Sequence, residues 1–200
     1  MGNIDRAFEY RLAQAVVSIP YNLTGLMESR KQSIVLAPSV VDYEPSLLRF
    51  SPRGWSSDTT WENADGAFMS KHGAVVVAQG RRFKGGVWKE TPEDWLGVFF
   101  HELGHGVDQA LGNYSQSPEF VAAYLEDMSK VIGTAIEKKL SYYLQGFELK
   151  KKVSSAGLQE ALAESFALNC GRATRRRDTA LHRRVFVQTR LAVHRRLIQL

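Results

Sequence analysis

His101-Glu102-Leu103-Gly104-His105 is the stretch of this sequence whose residue types and spacing carry chemistry. On a helix, residues four apart lie one turn apart on one face. Both imidazoles can therefore reach one Zn²⁺ at the ~2.0–2.1 Å of zinc–nitrogen bonds. Glu102 projects beside them, placed to take a proton from an activated water and return it to a leaving amine. The preceding Trp95, Leu96, Val98, Phe99 and Phe100 are apolar, so this helix is expected to be buried with its histidines facing a cleft.

A catalytic zinc keeps three protein ligands and one open position, so a third ligand has to lie elsewhere. The three-histidine metzincin pattern fails, because Leu111 stands six residues beyond His105 and Asp108 occupies the expected glycine position. Glu126-Asp127 sits in an amphipathic segment where exposed acids are common. Gly133-Thr134-Ala135-Ile136-Glu137 resembles the aspzincin element but has Glu where Asp belongs. Glu160-Ala161-Leu162-Ala163-Glu164 instead puts two carboxylates one turn apart among Leu158, Leu162, Phe166 and Leu168. Burying acids there is costly unless they bind a metal or a ligand histidine. Glu160 is the expected ligand and Glu164 the partner of a histidine, although the two roles can be exchanged.

The run His101 to Asp108, then Phe120, then Glu160-x-x-Ala163-Glu164-x-Phe166, resembles the catalytic domain of anthrax lethal factor and its relatives. The resemblance covers about 73–168. It implies a gluzincin zinc metallopeptidase in which His101, His105 and Glu160 bind Zn²⁺ and Glu102 is the base. It also implies a tyrosine seven residues before the ligand glutamate, where this chain has Val153. Tyr142, Tyr143 or neither stabilises the oxyanion, since each tyrosine taken singly also fits a packing role. Gly73 to Ala78 is similar to the edge strand on which such enzymes lay an extended substrate, an arrangement that uses unpaired main-chain groups; an ordinary core strand fits the same apolar run.

These residues need elements to position them. Phe8, Leu12, Ala15 and Val16 give a helix over roughly 4–18, ending before Pro20. Short runs at 32–37, 47–51 and 73–79 have strand character, with loops at 51–58 and 80–86. Thr91-Pro92-Glu93-Asp94 is a helix start, and that helix should reach about Leu111, with Gly112 as its stop. Ser117-Pro118-Glu119 opens a helix that can extend to Tyr143. Further helices are expected through 160–168 and from 178 or 179 to 197. The fold class is thus α+β, zincin-like, with a small N-terminal mixed sheet bearing an edge strand and a helical C-terminal half. The length suits a single domain over 1–200, with a basic helix at about 172–200.

At 44% apolar and 24% charged residues, and with no apolar run of ~20, transmembrane and wholly disordered readings are excluded. One cysteine, Cys170, allows neither an internal disulfide nor a cysteine zinc cluster. The N-terminal sequence does not read as a secretory leader. The expected location is the cytoplasm of the producing cell, with delivery into a host cell by a specialised secretion machine on the toxin analogy.

The net charge of +5 belongs to the tail: residues 1–171 carry 17 basic against 20 acidic groups, and 172–200 carry nine arginines against one acid. That tail can meet an acidic or nucleic-acid partner, or simply form a solvated helix face. The leading reading is a zinc endopeptidase, a toxin or secreted effector acting on a protein substrate. The alternatives are a nucleic-acid-associated phage or antirestriction protein with a zincin core, and a protein in which zinc only stabilises the fold.

Overall fold

The computed structural model describes residues 4–52, 59–83, 87–91, 95–145, 153–170 and 179–200. Helix α1 (Arg6–Val17) begins where the Asp5 carboxylate accepts the Ala7 N–H and buries Phe8, Leu12 and Ala15, as their spacing requires. A second helix follows at once, α2 (Tyr21–Ser29), seated on Leu23 and Met27. The sequence reading did not anticipate it, because only two apolar residues one turn apart anchor it and Gly25 interrupts it.

Strand β1 (Ser33–Ala37) occupies the expected place and is followed by the short helix α3 (Val40–Tyr43). The strand expected at 47–51 does not form. Glu44 accepts the Ser46 N–H and hydroxyl, Pro45–Leu47 turns as a 3₁₀ segment, and Arg49 takes a positive φ of 74°. In its place β2 (Gly66–Met69) enters the sheet.

Strand β3 (Ala74–Ala78) runs parallel to β1, pairing Ser33 with Ala74 and Ala37 with Ala78. It runs antiparallel to β2, pairing Gly66 with Val77 and Met69 with Ala74. The order β1-β3-β2 makes a mixed sheet in which the 74–78 run is central. Of the two readings of this run the edge strand is corrected and the core strand holds: five consecutive buried residues mark a strand covered on both sides, and β1 and β2 are the edges. Part of the expected 80–86 loop is instead a hairpin of β4 (Gly80–Phe83) and β5 (Val87–Glu90).

The Thr91 hydroxyl donates to the Ala78 carbonyl at 2.6 Å and its N–H to the Gln79 carbonyl. The remainder of that expected helix start, 92–94, lies outside the described residues. Helix α4 (Trp95–Ala110) has no exposed residue anywhere along it. Helix α5 (Pro118–Ser129) starts as expected, with Ser117 Oγ accepting the Phe120 N–H at 3.2 Å, but stops fourteen residues short of Tyr143. Gly133 at φ 79° turns the chain, and only α6 (Ser141–Leu144) resumes the helix beyond a 3₁₀ segment.

Helix α7 (Ser155–Asn169) lies against α4. The last helix is two: α8 (Thr179–Val185) and α9 (Val187–Ile198), broken at the fully buried Phe186. Asp127, also fully buried, accepts the Thr189 N–H at 2.8 Å and its hydroxyl at 2.9 Å, closing the first turn of α9 against α5.

The approach of α4 to α7 depends on Gly104. A methyl group there would stand 2.8 Å from Ala163 Cα, 3.1 Å from the Ala163 carbonyl oxygen and 3.2 Å from Phe166 Cβ. None of these is the free end of a flexible side chain. Gly104→Ala therefore trades a helix-propensity gain of roughly 1 kcal/mol against overpacking of about 1–3 kcal/mol. It should lower the urea denaturation midpoint, and an unchanged or raised midpoint would show that the two helices have room between them.

Candidate metal centre

Because α4 is regular through the motif, His101 and His105 project from adjacent turns, with ring centroids 5.0 Å apart and planes at 84°. The packing across Gly104 and Ala163 brings α7 alongside, and Glu160 enters between the rings. Its Oε2 is 3.1 Å from His101 Nε2 and 3.6 Å from His105 Nε2. One ligand atom from each of the three lies within 4.8 Å of the others. Tetrahedral bonds of 2.0–2.1 Å separate ligand atoms by about 3.3 Å, a value these two distances bracket. The donor set of two imidazoles and one carboxylate thus fits a divalent ion.

Glu164, one turn further along α7, is fully buried and places Oε2 3.2 Å from His101 Nδ1. Its other oxygen accepts the Thr179 hydroxyl at 3.1 Å. A carboxylate on Nδ1 fixes the ring and directs Nε2 toward the other ligand atoms. Burial by itself pulls the His101 imidazolium down, but hydrogen bonds to Glu160 and Glu164 outweigh it and hold the group up at about 10. Burial likewise pushes both carboxylates up; His105 and His101 together hold Glu160 well below its ordinary value, and His101 lowers Glu164. The pocket stabilises positive charge at its centre, which a bound cation would supply in place of the proton.

Glu102 stands beside this group on the wall of a cavity of about 440 Å³. Its Oε2 accepts the main-chain N–H of Phe68 at 2.9 Å. Gly66 and Phe68 of β2, Val98 of α4, Trp61 and Tyr142 complete much of the wall, with His105 and Glu160 at one side. Of the two tyrosines weighed for oxyanion contact, Tyr143 is fully buried against His182 and Phe186, whereas Tyr142 lines the cavity. Val153 packs on the hydrophobic core.

The other candidates have different occupations. Asp127 closes α9, as described, while Glu126 pairs with Lys130 on the surface and Glu137 accepts the Gly133 N–H at 2.6 Å. Asp108 caps a loop rather than a ligand: its two oxygens accept the Ser115 N–H at 2.7 Å and hydroxyl at 2.6 Å, and burial raises its carboxyl. His72 bonds Glu44 on the surface, and His194 is exposed. His182 is buried in a stack on Phe186, and that burial pushes it down to about 3, so the ring is neutral. Cys170 packs against the core, and burial raises its thiol to about 11.

In the basic tail, Arg190 donates to the Arg183 carbonyl, Arg195 approaches Glu119 at 3.8 Å, and Arg196 lies over the Tyr114 ring. Arg183 and Arg184 are exposed, and Arg175-Arg176-Arg177 lies outside the described residues. Among the described residues no helix is long and apolar enough to cross a membrane.

Sequence reasoning overlooked β2 and Thr179. Phe68 acts at the site through its peptide group and Gly66 through the lack of a side chain, so neither leaves a mark in residue chemistry. Thr179 is an ordinary helix-start residue until Glu164 is placed beside it.

No protein-family model matches the sequence, and no curated protein matches it. Among solved structures, the chain is similar to the Pro-Pro endopeptidase PPEP-2 from Paenibacillus alvei, with a TM-score of 0.60 and 22% sequence identity over 97% of this chain and 93% of that one. At that identity the similarity is one of fold, and the fold is zincin-like.

Proposed function

We propose that this chain is a zinc-dependent endopeptidase, with His101, His105 and Glu160 as ligands and Glu102 as general base, the 200 residues acting as one unit. The observation that carries this reading is the convergence of Glu160, from a helix 55 residues further along the chain, on the two imidazoles at 3.1 and 3.6 Å, beside an open cavity walled by Glu102. The similarity in fold to a Pro-Pro endopeptidase supports the same chemistry.

A zinc ion held there supplies Lewis acidity, acidifying a water and polarising a peptide carbonyl. Glu102 takes the water proton and passes it to the departing amine as the C–N bond breaks. Glu164 keeps His101 in one tautomer and orientation. The edge strand β2, rather than the 74–78 run, is the surface along which an extended peptide would lie. Tyr142, which lines the cavity, is the tyrosine assigned to the oxyanion. The ligand set is of the gluzincin type, and the resemblance to lethal factor supports a bacterial toxin or effector delivered into a host cell, an analogy of family rather than of site.

Glu102→Gln should retain the metal and lose roughly 10²–10⁴-fold in kcat. Metal analysis and new N-termini in a lysate treated with the parent and the variant test this; a parent protein that holds metal yet generates none overturns the enzymatic reading in favour of a structural zinc. Glu160→Ala should bind zinc 10–100-fold or more weakly by competition with a chelator, and unaltered affinity would remove Glu160 from the ligand set.

A further inference from the structure

The outer side of β2 follows from its pairing. The Ala78 N–H donates to the Asp65 carbonyl at 2.9 Å, and Gly66 pairs with Val77. Peptide groups alternate along an antiparallel ladder, so those of Ala67 and Met69 point toward β3, and those of Gly66 and Phe68 point away from it. Among the described residues no strand pairs with that outer side. The outward N–H of Phe68 is the group that reaches Glu102 Oε2 at 2.9 Å.

The strand comes that close because Gly66 has no side chain. A methyl there would lie 3.0 Å from the Val76 carbonyl oxygen, 3.1 Å from Val98 Cγ1 and 3.3 Å from Glu102 Cγ. The stem of Glu102 thus packs on one residue of β2 while its carboxylate is held by the next outward residue. One oxygen is anchored by a charge-assisted bond, and among the described residues no hydrogen bond holds the other.

We propose that β2 positions the general base: the Phe68 N–H sets the direction of the Glu102 carboxylate, and Gly66 permits the approach. Both are positioning residues, and the proposal rests on the reading above only in naming Glu102 as the base. It also sets how a peptide can pair. Among the described residues no other strand pairs with the Gly66 N–H and carbonyl or the Phe68 carbonyl, so an incoming strand would pair through these, whereas pairing through the Phe68 N–H would strip the base of its anchor.

The tether is read without activity, by amide hydrogen exchange in the full-length protein. The Phe68 amide should exchange at least tenfold more slowly than that of Gly66, and Glu102→Ala should erase the difference. The ladder amides of Ala67 and Met69 should stay protected, showing that the strand survives. A Phe68 amide as fast as that of Gly66, or indifferent to Glu102→Ala, overturns the proposal.

Phe68→Pro removes this N–H and no ladder bond, since proline is tolerated where the N–H faces outward on an edge strand. Against Phe68→Ala, which loses the same ring but keeps the N–H, it should show a further kcat loss of about 10–100-fold with KM and metal content little changed. Equal kcat values for the two variants overturn the positioning role. A tether seen by exchange in a protein that cleaves nothing would overturn the peptidase reading and leave the contact standing.

Discussion

The structure depends on how closely two helices can lie. Side chains hold most packed helices 8–10 Å apart, but at Gly104 a single methyl would collide with the backbone of Ala163. This contact brings a carboxylate from α7 into the space between two imidazoles on α4. The same glycine that is costly to a helix in isolation is required for the site in the assembled molecule. The motif's central glycine is thus part of the scaffold, while the histidines before and after it meet Glu160.

Electrostatics explains why the arrangement is tolerated in an apolar setting. Glu160 and Glu164 are surrounded by leucine, alanine and phenylalanine, where a lone carboxylate would be driven to its neutral form. Each is instead matched to His101, one at each ring nitrogen, and Glu164 has a second bond from Thr179. The chain runs from a helix start at Thr179 through a buried acid to an imidazole. In this way the C-terminal segment, distant in sequence from the motif, contributes to the orientation of its first histidine.

How much of this was legible follows from the kind of signal each part leaves. The histidine pair and its glutamate are readable because their function resides in side chains at fixed helical spacing. The 160–164 helix is readable because two acids among apolar residues demand an explanation. The sheet stayed open at its most apolar strand: an unbroken valine run looks the same at an edge as at a centre, and only pairing on both sides distinguishes them. Strand β2 left almost no signal, being four residues long and acting through main-chain groups. The continuous helix expected from Ser117 to Tyr143 failed because apolar spacing persisted past Gly133, whose positive φ lets the chain turn. Of the arginines of the basic tail, Arg190, Arg195 and Arg196 are engaged within the molecule, and Arg183 and Arg184 are exposed.

The absence of a wet side on α4 has a consequence for its length. No residue of that helix is exposed: Gly104 packs on α7, Gly106 on the sheet, the imidazoles meet Glu160, and apolar side chains enter the core. Inserting or deleting one residue ahead of Gly104 would rotate everything beyond by about 100°, turning Leu103 or His105 into the space reserved for glycine. Exchanges of side chain can be absorbed at a few of its positions, but a change in register cannot.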